Sequence, residues 1–300
     1  MPVAIRTILA MPADWTLEPA VLVPAGVALL LFASAFARLR RRGRRDHASW
    51  SRAVLFVVAV AALTLPLVSP LDTAADSYLL SAHMLEHLLI GDAAPALLVV
   101  ALRGPLLFFF PPAPALAALA GSRRLRRVLS FLVRPRVGLA VWALVFAAWH
   151  VPTAYDYTLT HQGVHDLEHA SFALAGLLVW NQLVDPARRH TLTVRGRLAY
   201  AAAVFGMGAA LSAVLLVSPH ELYPAYAAQP QRVLGLSPLR DQQLAGLVML
   251  AEQLLSLGVC FVFLLPIAGR VQGRPRPTLP RRLTEYVAAL IGSRRGLARD

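Results

Sequence analysis

The chain has no lysine and one cysteine, Cys260, and only 15% of its residues are charged. A single cysteine excludes a disulfide framework within the chain and every CxxC-type metal or redox motif. A soluble domain carries nearer a quarter charged residues, so this deficit does not fit a chain that meets water over its whole surface. The missing charge is replaced by apolar residues. Of 300 residues 57% are hydrophobic, with a mean hydropathy of +0.59. That excess must face something besides one water-soluble core, and lipid is the simple answer. Met1–Pro19 lacks a basic region leading into a long apolar run and an A-x-A-like site. It does not read as a cleaved secretory signal, so the first apolar run is expected to remain as a span.

A bilayer core needs about 20 mostly apolar residues per helix, within roughly 17–25. Seven stretches qualify or nearly do: Ala20–Ala37, Ala53–Val68, Tyr78–Leu102, Val137–His150, His165–Val184, Leu198–Val217 and Gln243–Ile267. The fourth is short unless it begins earlier, near Phe131. An eighth apolar run, Pro105–Ala120, contains Pro105, Pro111, Pro112 and Pro114. Prolines remove amide donors and break helices, so this run reads as an interfacial or re-entrant segment. If it crossed the membrane, every later orientation would flip.

The arginines test that parity, because cytoplasmic loops are enriched in basic residues. Seven fall between Arg38 and Arg52, seven between Arg103 and Arg136, four between Arg188 and Arg197, and eight between Arg270 and Arg299, which is 26 of the 29. Only Arg6, Arg232 and Arg240 fall on the other side. The expected fold is therefore an all-α, polytopic bundle of about seven transmembrane helices, with the N-terminus outside and the C-terminus cytoplasmic. Residues 1–19 form an outer segment, 20–268 the membrane domain with its Pro-rich segment near 105–120, and 269–300 an Arg-rich cytoplasmic tail. The net charge of +13 then reads as a topology signal in contact with anionic lipid, not as a nucleic-acid surface.

In this topology His47 and His190 fall in cytoplasmic loops. The other seven histidines, His83, His87, His150, His161, His165, His169 and His220, fall outside or in the outer half of a helix. His83 and His87 are four apart and share a helical face, as do His165 and His169. His150 closes the fourth helix just before Pro152. Two imidazoles at i and i+4 are able to chelate one ion, and imidazole suits copper, zinc, iron and nickel. Ionisable residues within a span mark functional sites by default. The bland alternative is that each ring only hydrogen-bonds a neighbouring helix or sits among headgroups. Two such pairs and His150 on one side favour a metal or cofactor site open to the outer face.

Around these rings, Asp156 and Glu168 are the better placed acids for orienting imidazoles; Glu86 and Asp166 lean towards solvated charges. Met84 lies beside His83 on the helix. Asp241 is well placed as the N-cap of the last helix, with Gln242 at the same end. Gly246 permits close helix approach, and Met249, two turns below Gln242, offers a soft thioether. Asp92 and Glu252 are acids inside spans without an evident role.

Several chemistries compete. Both histidine pairs read H-x-x-E-H, a metalloprotease pattern, but no further ligand signature follows. A di-iron oxidase would place its boxes on the cytoplasmic side. A two-haem carrier needs histidines near both faces, although one haem is possible. A transporter is expected to show an inverted repeat and paired broken helices, which are absent.

The order His83-Met84-x-x-His87, Trp149-His150-x-Pro152-x-x-Tyr155-Asp156, His165-x-x-Glu168-His169 and Asp241-Gln242-Gln243-x-x-Gly246-x-x-Met249 resembles the CtaG-type cytochrome c oxidase assembly proteins of bacteria, over roughly Ser77 to Pro266. The resemblance implies a multi-pass assembly factor of the bacterial plasma membrane, not an enzyme. It would act with cytochrome c oxidase subunits, and its implied role is helping copper reach the oxidase. Carried over by position, His83, His87, His150, His165, His169, Asp241, Gln242 and Met249 match the family's motif residues. Glu86, Ala245 and Leu250 depart from it, where the family often has Gln, Gly and Trp. The expected metal set is His83, His87, His150, His165, His169 and Met249, supported by Met84, Asp156, Glu168, Asp241 and Gln242. A haem-binding electron carrier and a metal-independent membrane scaffold are the alternatives.

Overall fold

A computed structural model describes residues 15–230 and 233–272. Arg6, Arg232 and most of the Arg-rich tail lie outside the described residues. The described chain is all-helical, with no strand among these residues. In order the helices are α1 (Pro19–Arg41), α2 (Trp50–Thr64), α3 (Pro70–Ser77), α4 (Leu80–Leu102, with a π-helical turn at Leu89–Ala93), α5 (Pro105–Phe109), α6 (Ala113–Gly121), α7 (Arg123–Leu132), α8 (Pro135–Trp149), α9 (Pro152–Thr158), α10 (Gln162–Val184), α11 (Val194–Val217), α12 (Pro224–Ala227) and α13 (Pro238–Gln272).

Four of these are long and apolar enough to cross a membrane: α1, α4, α11 and Pro238–Val262 of α13. A fifth is the pair α7 and α8, which bend 71° apart. The fourth expected stretch, Val137–His150, lies in α8, and a break at Arg134-Pro135, where proline disfavours helical backbone in the residue before it, separates it from α7, which holds Phe131. At 1.5 Å per residue, the 15 residues of α2 reach only about 22 Å. Helix α10 has the length, 23 residues, but its first two turns carry His165, Asp166, Glu168 and His169. The Pro-rich run breaks into α5 and α6, of 5 and 9 residues. Neither approaches the ~30 Å of a bilayer core.

The helices give the bundle two ends. One gathers the arginine-bearing connections. There Arg52 donates to the Arg103 carbonyl at 2.7 Å, Arg38 donates to that of Phe109 at 2.5 Å, and the Gly104 amide donates to Pro186 at 2.8 Å. Asp185 closes α10 there in a left-handed conformation (φ 52°). Burial alone would push its carboxyl up, but the amides of His190 and Arg189 and the Arg197 guanidinium outweigh this and hold it below the usual carboxylate range. The other end holds the starts of α4, α10 and α13 and the ends of α8 and α11.

Helix α4 occupies the middle, packed against α2, α10 and the first half of α13, while α11 and α13 run together along their length. Two glycines set the closest approaches. A Cβ at Gly176 would overlap the Gly91 carbonyl oxygen, which brings α10 directly onto the π-helical turn of α4. At Gly246 a Cβ would lie 2.8 Å from the Ser212 carbonyl oxygen, the close approach expected from the sequence.

Candidate functional site

Asp241 anchors the start of α4, which carries the first histidine pair. Helix α13 begins at Pro238, three residues ahead of it, so Asp241 does not cap its own helix as expected. Its carboxylate reaches across the bundle instead. It accepts from the Leu80 amide at 2.7 Å, the Ser81 amide at 3.2 Å and the Ser81 hydroxyl at 2.5 Å. These amides are among those a helix N-terminus leaves without a partner in its own chain segment. One turn further on stand His83 and His87.

The second pair, His165 and His169, stands on the facing surface of α10. The His83 ring centroid lies 4.3 Å from that of His87, 5.3 Å from His165 and 6.1 Å from His169. His87 is 5.2 Å from His169, and His165 is 4.2 Å from His169. All four are buried. The structure thus joins the two same-face pairs into one cluster.

Ring nitrogens converge within it. Nε2 of His83 and Nε2 of His87 are 2.9 Å apart. Two imidazole nitrogens on one tetrahedral ion at 2.0–2.1 Å stand about 3.3 Å apart, so a small adjustment admits an ion. Tyr226 fixes which nitrogen His83 presents. Burial pushes its phenol up, so the hydroxyl keeps its proton and donates to the Ala75 carbonyl at 2.6 Å. The same oxygen then accepts from Nδ1 of His83 at 3.0 Å. With the proton assigned to Nδ1 by this network, the lone pair lies on Nε2, facing His87.

Carboxylates complete the donor set. Glu168 Oε1 lies 3.6 Å from His87 Nε2, and Asp76 Oδ1 lies 3.5 Å from His165 Nε2. Burial pushes the Asp76 carboxyl up to about 6. Three overlapping groups have ligand atoms within 4.8 Å of one another: His83, His165 and His169; Asp76, His83, Glu86 and His165; and His83, His87 and Glu168. Both carboxylate oxygens of Glu86 and of Glu168 are buried without a hydrogen-bond partner, as are His165 Nε2 and His169 Nε2. Orphaned polar atoms at this density mark a place where a ligand belongs. The mixed imidazole and carboxylate donors fit a transition-metal ion.

The remaining expected residues stand apart from this cluster. His150 donates from Nδ1 to the Phe146 carbonyl at 2.7 Å; its Nε2 has no partner. Together with Met84 and Met249 it lines a separate chamber behind His87. His161 is exposed and stacks on Tyr157 at 3.8 Å, and His220 lies in the loop after α11. Gln242 pins that loop, accepting from the Leu222 amide at 2.7 Å and donating to the His220 carbonyl at 3.2 Å. Asp156 faces the start of α12, where it accepts from the Ala225 amide.

Glu86, read from sequence as a solvated charge, is fully buried. Its place three residues after His83, on the same face, is the signal that finds it. Asp76 and Tyr226 had no sequence signal, since the chain brings them in from a connecting helix and a distant loop.

Tyrosines cover the cluster directly at this end of the bundle. Tyr155, Tyr223 and Tyr226, all buried, close over it, and Tyr223 donates to the His150 carbonyl at 3.1 Å. The way in is beside them. His165, His169 and Asp76 border a cleft of about 1100 Å³ between α1, α2, α4 and α10, lined at this end also by Glu18, Asp72, Gln162 and Asp166 and further in by apolar residues such as Phe56, Leu98 and Leu177.

These features define an all-helical membrane protein with an enclosed histidine–carboxylate cluster at one end of its bundle. The chain belongs to the cytochrome c oxidase caa3 assembly factor family (Caa3_CtaG), whose family model matches residues 30–268. No curated protein and no solved structure matches it.

Proposed function

We propose that this assembly factor binds copper at His83, His87, His165 and His169 and hands it to a cytochrome c oxidase subunit during assembly in the bacterial plasma membrane. The observation that carries the reading is the enclosure of four imidazoles, with mutually facing nitrogens, in one cluster of a protein whose family assembles an oxidase. Seven spans, with the histidine end outside, are the topology that goes with it. Helices α2 and α10 supply the two spans that length or hydropathy alone does not mark. The gathering of arginine connections at one end supports a cytoplasmic placement of that end.

A second reading is favoured by Glu168 and Asp76: a divalent ion such as zinc held by imidazole and carboxylate together. Elemental analysis of the purified protein, at controlled redox state, separates the two. Copper bound by the wild type and lost from His83→Ala/His87→Ala supports the proposal. Equal copper in both sinks the site, and zinc in place of copper selects the second reading. Normal oxidase copper content and activity after deletion of the gene would argue against the delivery role.

A further inference from the structure

The intramembrane acids Asp92 and Glu252 are not part of the histidine cluster, yet the fold brings them together. Asp92 sits in the π-helical turn of α4. Such turns insert one extra residue and re-aim side chains, often at functional sites. Glu252, on α13, faces Asp92 and Ser256. Trp180 of α10 donates from its indole nitrogen to Asp92 Oδ1 at 2.6 Å. Three helices thus converge on two carboxyl groups.

Four oxygens here are buried without a hydrogen-bond partner: Asp92 Oδ2, Glu252 Oε2, Gln253 Oε1 and Ser256 Oγ. Gln253 is itself more than nine-tenths buried. Among the described residues no basic side chain forms an ion pair with either acid. Cys260 also lies within electrostatic range of Asp92 and of Arg197. Two carboxylates in contact, away from water and without a countercharge, do not both ionise; they share a proton. A hydrogen-bond donor favours the charged member of such a pair, and Trp180 donates to Asp92, which leaves the shared proton to Glu252.

Both acids line the chamber behind His87, which has a volume of about 60 Å³. That is room for about two waters. The chamber connects the acid pair to the back of His87 and to the unpartnered Nε2 of His150.

We infer that Asp92 and Glu252 form a shared-proton site inside the membrane domain, which exchanges its proton through the chamber behind His87. In the exchange the proton leaves the Glu252 carboxyl for a chamber water, and another returns from water by the same way. The site binds a proton whether or not the histidine cluster binds metal, so it stands independently of the copper reading.

The test is infrared spectroscopy of the full chain in lipid nanodiscs, without added metal, at neutral pH in H2O and D2O. Glu86 and Glu168 are also buried carboxyls, so the readout is the difference between wild type and Glu252→Gln. The expected result is the loss of one carboxylic C=O band that shifts in D2O. Trp180→Phe removes the donor that holds the charge on Asp92, so the band should persist but move, and become sensitive to Asp92→Asn. If Glu252→Gln fails to fold, Asp92→Asn in the wild-type background should displace the same band as its acceptor changes from carboxylate to amide.

A Glu252→Gln difference spectrum without a carboxylic band overturns the proposal. A band abolished by sodium or calcium also overturns it and makes the pair a cation site. A D2O shift that appears only on unfolding overturns exchange through the chamber.

Discussion

Replacing Asp241 by alanine tests how the histidine end is held together. The residue is only 4% exposed, and its carboxylate accepts three hydrogen bonds from residues 161 and 160 positions away, two from the first amides of α4 and one from the Ser81 hydroxyl. Hydrogen bonds to a charged group contribute about 1.5–3 kcal/mol each, and a buried donor left unpaired costs about 1–3 kcal/mol. The terms overlap, because the same donors are counted in both. Ser81 is also able to turn its hydroxyl to another acceptor. A net loss of about 3–5 kcal/mol follows, well into the upper tail for a single substitution. For a chain of this size that corresponds to a fall of roughly 6–10 °C in apparent Tm.

The assay is thermal unfolding of detergent-solubilised protein, at one scan rate for all variants because such transitions are often irreversible. Asp241→Asn keeps an acceptor but turns an NH2 group towards an amide donor, and should fall between wild type and Asp241→Ala. Asp166→Ala is the control, since its side chain is exposed and its hydrogen bond is to Gln162 one turn away. An apparent Tm for Asp241→Ala within about 1 °C of the control would refute the reasoning that this carboxylate holds the start of α4.

Other expectations follow from single contacts. Tyr226→Phe removes the hydroxyl that holds the His83 tautomer; metal affinity should fall about 10–100-fold, the usual cost of losing a ligand-orienting partner, and unchanged affinity in a competition titration would count against that role. Gly176→Ala forces a methyl group into the Gly91 backbone and should lower the apparent Tm strongly, whereas Gly163→Ala, with open space around it, should not. Burial, and then the neighbouring Asp76 carboxylate, push Asp72 up from 3.8 to about 6. The folded chain therefore holds that proton more tightly than the unfolded chain, and the stability this gives is full in acid and lost as pH rises from about 4 to 6. Asp72→Asn should accordingly gain on wild type across that window and hold a constant difference above it; a difference that does not change with pH would contradict the assignment.

The long helices were legible as apolar runs, most of them ending near arginine or proline, and the i, i+4 spacing placed His83 with His87 and His165 with His169 before any fold was known. Sidedness was a coarser signal. It marks the end of the bundle to which a residue belongs but not the direction in which its side chain points. His161 and His220 therefore share the end of the cluster without joining it, and His150 turns towards Phe146. Asp241 was legible as a capping residue by type and position, but not the helix it caps, because that depends on α13 lying beside the start of α4. The tyrosine cover and Asp76 had no local pattern at all. They come from connecting segments whose places are set by tertiary packing, and Tyr226 is 143 residues from the ring it orients.

The cover changes what handing over a metal would involve. Above the cluster, Tyr226 holds Ala75 and His83, and Tyr223 holds His150, so an ion leaving that way must break several buried hydrogen bonds. Through the side it has only to pass His165, His169 and Asp76, which already border the cleft. Towards the middle of the bundle the cleft is walled by apolar residues of α1, α2, α4 and α10, but at the end that holds the cluster it is lined by Glu18, Asp72, Gln162 and Asp166. A bare ion has no path through the apolar walls, since an unpaired charge there is costly, so the acidic end of the cleft is the way out that its lining favours. On the proposed reading, then, the acceptor brings its own ligands up to His165 and His169 past these acids. An acceptor docking straight over the cluster would meet the tyrosines first, so the cover itself favours transfer by way of the cleft.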